Sequence, residues 1–464
     1  MPSQENNLMA AGTLNCYRIP GQFLFSDSLE SSSTSEMCSI DPPDVPFPVE
    51  DQSLDWVERL PPTIKRRISN FRESHISSLP HLTPENILDY FQLERYTSES
   101  SLRKFLKTFY YTNRGYFPRR LKVLLQRLAV RGWDRIDFPT YPVDETVQAI
   151  CEAALIELLH QQNREEIPLI WFWPNGHRGA LCMTHDIEME HGLNLLPELL
   201  KMDLSIGLRS SYGIVPENRY QVSDEVFERI RNNRSEVHTH GLNHDGFLFH
   251  DKQTFMKRAV RINQFMKRHQ ISGFRAPAMH RNFEWLPLLD ADFDMSVPNI
   301  GHFEPQSGGC CTVMPYFIGH LLELPLTMLQ DYTLYYILRH FSLDIWTEQL
   351  QIILRRNGLI SFNCHPDYMA RTNQRAMYRS LLEYLTQFAS DQDLWVALPS
   401  EIAAWWRNRS NLVLQESAGG WSIIGPGSEH ARIAYASVEG KRINYRITLR
   451  AEDHHTVESS SFVG

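Results

Sequence analysis

Between residues 165 and 405, short apolar segments alternate with amphipathic segments of 10 to 18 residues, and few folds accommodate that rhythm. PLIWFWP, GALCMTHDIE, SEVHTHG, ISGFRAP, LISFNCH and DLWVALP read as buried strands. Between them lie helical segments such as KQTFMKRAVRINQFMKRH, SLDIWTEQLQIILRRN and QRAMYRSLLEYLTQF. Strands that alternate with helices in this way predict βα units around a parallel sheet or barrel.

The flanks have a different texture. Residues 1–54 mix serine, proline and acidic residues with few apolar anchors, which predicts disorder. From 55 to 164 the apolar residues recur at spacings of three and four. This is a helical N-terminal region, with Thr83 and Ser98 as candidate N-caps. The barrel is expected over 165–408. Residues 409–464, with NLVLQES, ARIAYASV and KRINYRITLR, read as a small β-rich region ending in a frayed tail.

Composition excludes several functions. The formal charge of -9 over 464 residues builds no basic stripe, so no nucleic-acid partner is expected. Seven scattered cysteines without a CxxC pair argue against a disulfide framework and a thiolate zinc site. No apolar run reaches the roughly 18 residues of a membrane span, and no signal peptide is visible, so a soluble cytoplasmic protein is expected.

In a β/α barrel, functional residues gather where strands end and loops begin. Five strand-like segments end in polar clusters: MTHDIE at 183–188, EVHTH at 236–240, FRAP at 274–277, FDMS at 293–296 and SFNCH at 361–365. His240 and His244 can meet one ion if the first ends a strand and the second opens the next helix. Taken alone, one or both read more readily as ordinary polar residues. His238 shares a strand face with His240. Asp186 and Glu188, two residues apart, also share a face, and a cation can separate their roles. Alone, they could form an exposed acidic turn.

Taken together, T-H-D-I-E, E-V-H-T-H-G-L-N-H, F-R-A-P and S-F-N-C-H-P resemble the motifs of the polysaccharide deacetylase family (NodB homology, carbohydrate esterase 4), over roughly residues 165 to 405. Position 241 is Gly where that family usually has Ser or Thr, and Ile187 separates two acids that the family usually has adjacent. The resemblance implies a deformed (β/α) barrel and metal-dependent hydrolysis of an N-acetyl or similar C–N amide bond. It implies Glu188, His240 and His244 as ligands of one divalent ion, zinc first, with cobalt, nickel or iron as alternatives. Asp186 would be the base, Arg275 its charged partner and His365 the general acid. Asp331 is preferred over Asp294 as the group that keeps His365 protonated.

Pro277, Trp285 and Tyr368 are candidate substrate contacts, with Phe293 beside them, although aromatic residues at such spacing also serve as core. Arg275 could equally form a structural salt bridge, and Asp367 could cap a loop. His185, on the opposite face from Asp186, is expected in the core. The expected partner is a carbohydrate or another N-acylated small molecule. Two rivals stand beside this reading: a decayed barrel acting as a binding or regulatory protein, and a different metal hydrolase such as a phosphoesterase.

Overall fold

A parallel strand covered on both faces has to be apolar almost throughout. Gly179–Met183 meets that condition, and the whole segment Gly179–Ile187 is buried, its polar residues Thr184, His185 and Asp186 gathered towards the C-terminal end. The computed structural model describes residues 17–19, 55–75, 84–97, 101–369, 372–418 and 420–448. Most of 1–54, the end of the C-terminal tail and the candidate caps Thr83 and Ser98 lie outside the described residues.

Among the described residues the N-terminal region contributes five α-helices: α1 (Pro62–His75), α2 (Pro84–Gln92), α3 (Ser101–Asn113), α4 (Arg119–Ala129) and α5 (Thr146–Gln161). They are followed by β1 (Glu166–Ile170), β2 (Gly179–Ile187), α6 (Glu190–Ser205), β3 (Ser210–Ile214), α7 (Asp224–Asn232), β4 (Glu236–His240), α8 (Lys252–His269) and β5 (Gly273–Arg275). Next come β6 (Phe293–Asp294), β7 (Tyr316–Ile318), β8 (Leu321–Glu323), α9 (Asp344–Arg355), β9 (Leu359–Cys364), α10 (Thr372–Asp391), β10 (Leu394–Val396) and α11 (Pro399–Asn411). Four strands end the described chain: β11 (Val413–Ser417), β12 (Gly420–Ile424), β13 (Ile433–Glu439) and β14 (Arg442–Ile447).

The main sheet is a deformed (β/α) barrel. Strands β2, β3, β4, β5, β6 and β8 lie side by side in parallel, and β9 and β10 both pair in parallel with β2. Among the described strands of this sheet only β7 is antiparallel, as a hairpin with β8. The Met328 amide donates to Ser361 O at 3.2 Å, so the chain leaving β8 is drawn back to β9. The parallel strands therefore carry their C-terminal ends, and the polar residues on them, to one face.

One expectation needs correcting. The segment at 166–170 is not a barrel strand. It pairs antiparallel with β13, which pairs with β14, in a separate three-stranded sheet. Trp171 and Trp173 beyond it are buried, with Trp173 against Trp406 and Trp171 against Tyr445. An apolar run buried on both faces looks the same in either sheet, so its partner could not be read from the run itself.

The helical region is fastened to the barrel by a buried ion pair. Arg281 donates from Nε to Glu94 Oε2 at 2.8 Å and from Nη2 to Glu94 Oε1 at 2.5 Å, and both side chains are almost completely enclosed. Removing one partner leaves a buried charge uncompensated, which costs about 3–5 kcal/mol. Glu94→Ala should therefore lower the unfolding free energy, read from denaturant titration, by that margin. A Glu94→Leu/Arg281→Met double variant should recover most of the loss, because no charge is then stranded.

Candidate metal centre

Asp186, the last residue but one of β2, is held by groups from three other strands of the sheet. Its Oδ1 lies 3.0 Å from His238 Nε2 of β4 and accepts from Arg275 Nη1 of β5 at 3.2 Å. Its Oδ2 accepts from Asn363 Nδ2 of β9 at 2.8 Å. Burial pushes the carboxyl up. The Arg275 guanidinium and the imidazoles of His240 and His238 outweigh burial and hold it well below the usual carboxylate range. Such packing needs a strand without a side chain beside it. A Cβ on Gly213 of β3 would fall 2.6 Å from both Asp186 Oδ1 and His238 Nε2.

Glu188, just past the end of β2, serves a different group of residues. Its backbone N–H donates to Asp367 Oδ2 at 2.7 Å, and its Oε1 lies 2.9 Å from His244 Nε2 and 3.9 Å from His365 Nε2. Burial raises its carboxyl, and the neighbouring imidazoles, His244 foremost, bring it below the usual range. The two acids of the DIE segment thus face one cavity and keep separate partners.

His240 ends β4, as its position in the sequence implies, but His244 does not open a helix. It sits in the loop before α8 with φ +51°, after Gly241 at φ +65°. The helix starts eight residues later, where Asp251 accepts from the Thr254 amide as its N-cap. The turn through the left-handed region brings the two rings to 5.0 Å between centroids. Arg219 Nη2 donates to the His244 carbonyl at 2.5 Å and lies 3.1 Å from its Nδ1.

One nitrogen or oxygen each from Glu188, His240 and His244 lies within 4.8 Å of the others. His240 gives the sharpest indication that these residues suit an ion. Both its ring nitrogens are buried without a hydrogen-bond partner among the described residues, and burial pushes its imidazole down to about 3, so the ring is neutral with a lone pair to offer. A buried imidazole satisfied on neither side calls for something to complete it. Neutral imidazole and carboxylate donors are the set a divalent transition metal takes.

His365 follows β9 and is gripped twice by Asp331. Its Nδ1 is 2.7 Å from Asp331 Oδ1, and its backbone amide donates to Oδ2 at 2.9 Å. Burial lowers the imidazole, but Asp331 and Glu188 more than offset this and raise it to about 10. Asp294, the other candidate for this contact, is occupied elsewhere. Its Oδ1 accepts from Ser296 Oγ at 2.6 Å, and it pairs in register with Glu323 on the next strand.

The proposed substrate contacts separate. Tyr368 lines the cavity, 5.1 Å from the His365 ring. Trp285 instead packs on Phe249 and Phe255, and Phe293 is buried in the core. Pro277 lies against Gly241, where a Cβ would come within 2.5 Å of its ring, and is not part of the cavity wall. His185 is a buried core residue, with Nδ1 3.2 Å from Cys364 O and Nε2 3.0 Å from Tyr378 Oη. Asn363, Arg219 and the contact between Asp367 and Glu188 escaped the sequence reading. Asn363 lies near the end of β9, two residues before His365, and that spacing was the available signal.

No family model matches the chain, and no curated protein does. Its structural neighbours include polysaccharide and peptidoglycan deacetylases. A Mycobacterium smegmatis protein assigned as a polysaccharide deacetylase is 20% identical, with 51% of this chain and 93% of that one aligned at a TM-score of 0.42. Puue allantoinase is 13% identical, over 51% of this chain and 92% of that one, also at 0.42. Peptidoglycan deacetylase PdaC from Bacillus subtilis is 12% identical, over 50% of this chain and 94% of that one, at 0.33. Among the described residues no helix is long and apolar enough to cross a membrane.

Proposed function

We propose that the chain is a metal-dependent hydrolase of a non-peptide C–N bond, acting on an N-acetyl or similar amide of an amino sugar or another N-acylated small molecule. The observation that carries this reading is His240, unsatisfied at both ring nitrogens beside Glu188 and His244. Glu188, His240 and His244 would hold the ion, and their donor set suits zinc, with cobalt, nickel or iron accepted by the same atoms. A bound divalent metal polarises the amide carbonyl and lowers the pKa of water.

The chain's own residues supply the proton transfers. Asp186 is ionised at neutral pH, the form that accepts a proton from water as its oxygen adds to the carbonyl carbon. Arg275, His238 and Asn363 fix the direction of its lone pairs. His365, kept as imidazolium by Asp331, donates a proton to the amine nitrogen as the C–N bond breaks. The products are a carboxylate and a free amine.

The test is product release from a panel of N-acetylated sugars and simple N-acyl amides, with phosphate esters in parallel. Acetate and free amine are expected, lost on chelation and restored by zinc. Release of phosphate without acetate would assign the centre to phosphoester chemistry instead.

A further inference from the structure

The acids and histidines occupy only one end of a cavity of about 1670 Å³, larger than the roughly 300–1,000 Å³ of ordinary small-ligand sites. The other end is walled by α3 and α4, two helices that no step of the proposed reaction uses. Their cavity-lining residues are mostly apolar, with Lys107 and Lys122 as the charged exceptions. Leu106, Phe109 and Leu128, which line this open cavity, are 55%, 54% and 54% exposed. Large apolar side chains left open to water in one patch mark a surface that something covers.

That wall is anchored on both sides of the catalytic face. From α3, Tyr111 Oη is 3.3 Å from His280 Nε2, and a Cβ on Gly246, in the loop after His244, would collide with the Tyr111 ring. From α4, Arg127 Nε donates to Tyr336 O at 2.7 Å, and Gln126 bonds the hydroxyl of Tyr332. Tyr332 in turn packs on Tyr368 beside His365. The apolar wall and the reacting groups are therefore held as one cavity.

Resting on the amide-hydrolase reading, we propose that this site takes an amphipathic amide. Its amide group lies at Asp186, Glu188 and His365, and an alkyl chain extends along Leu106, Phe109, Leu121 and Leu128. A polar oligosaccharide fits the wall poorly, because apolar side chains return no hydrogen bonds for the hydroxyls they desolvate. An alkyl chain loses nothing there and gains with each methylene buried.

The test is calorimetric binding of N-alkylacetamides of four to ten carbons to the full chain carrying Asp186→Asn, which suppresses turnover, with zinc and with chelator, alongside an N-acetylated oligosaccharide. Affinity should rise roughly fourfold per methylene under both conditions. Phe109→Gln should flatten that dependence without changing metal content. Leu128→Gln, at a similarly exposed position, replaces it if the first variant proves unstable. Affinity that is flat with chain length, or tighter binding of the oligosaccharide than of the ten-carbon amide, overturns the proposal. Chain-length dependence in a protein that holds no metal supports the apolar site and overturns only the hydrolase reading.

Discussion

Replacing Asp331 by asparagine should cut turnover at pH 8 by ~10²–10⁴-fold, the range that general acid catalysis contributes. His365 is imidazolium up to about pH 10, because the Asp331 carboxylate and then Glu188 offset the cost of burying it. Asparagine keeps an oxygen for the His365 backbone amide but removes the charge. The imidazole pKa then falls, and a smaller share of the enzyme is protonated above neutral pH. The alkaline limb of the kcat profile should move to lower pH. An unmoved limb would show that His365 is not the acid.

The sign for stability follows from the same shift. A histidine whose pKa is raised on folding contributes stability that is fully present below its unfolded value near 6.5. That contribution is lost as pH rises through about 10. The difference in stability between the native chain and Asp331→Asn should therefore shrink on the alkaline side.

The second large effect separates the two carboxylates of the DIE segment. Glu188→Gln should weaken metal affinity by more than the roughly 10–100-fold that loss of an outer-shell partner costs, because it removes the anionic donor itself. Asp186→Asn should keep the metal and lose ~10²–10⁴-fold in turnover. Metal analysis after dialysis, paired with kcat, distinguishes the two. The assignment rests on geometry: Glu188 lies 2.9 Å from His244, whereas Asp186 is engaged by Arg275, His238 and Asn363. Metal lost from Asp186→Asn and retained in Glu188→Gln would exchange their roles.

The barrel was legible because helical and strand periodicities differ, and each polar cluster stood at the end of an apolar run. The destination of β1 was not, since partner choice for a fully buried strand depends on distant Trp406 and Tyr445. The spacing of His240 and His244 was informative although the expected local structure was wrong. A four-residue interval brings two rings together through a left-handed loop as readily as through a helix start.

The aromatic residues show a different limit. Trp285 and Tyr368 look alike as sequence, and only packing sends one to Phe249 and the other to the cavity. The roof over the site was invisible for a related reason. Amphipathic helices declare that they have an apolar face, but not whether that face meets a core or a ligand.

The most direct test of the central claim is the metal content of the purified chain beside that of His240→Ala. The geometry predicts one divalent ion per chain in the first and none in the second, with both folded. A metal-free native chain that stays empty in excess zinc, or a His240→Ala variant that holds its ion unchanged, would contradict it.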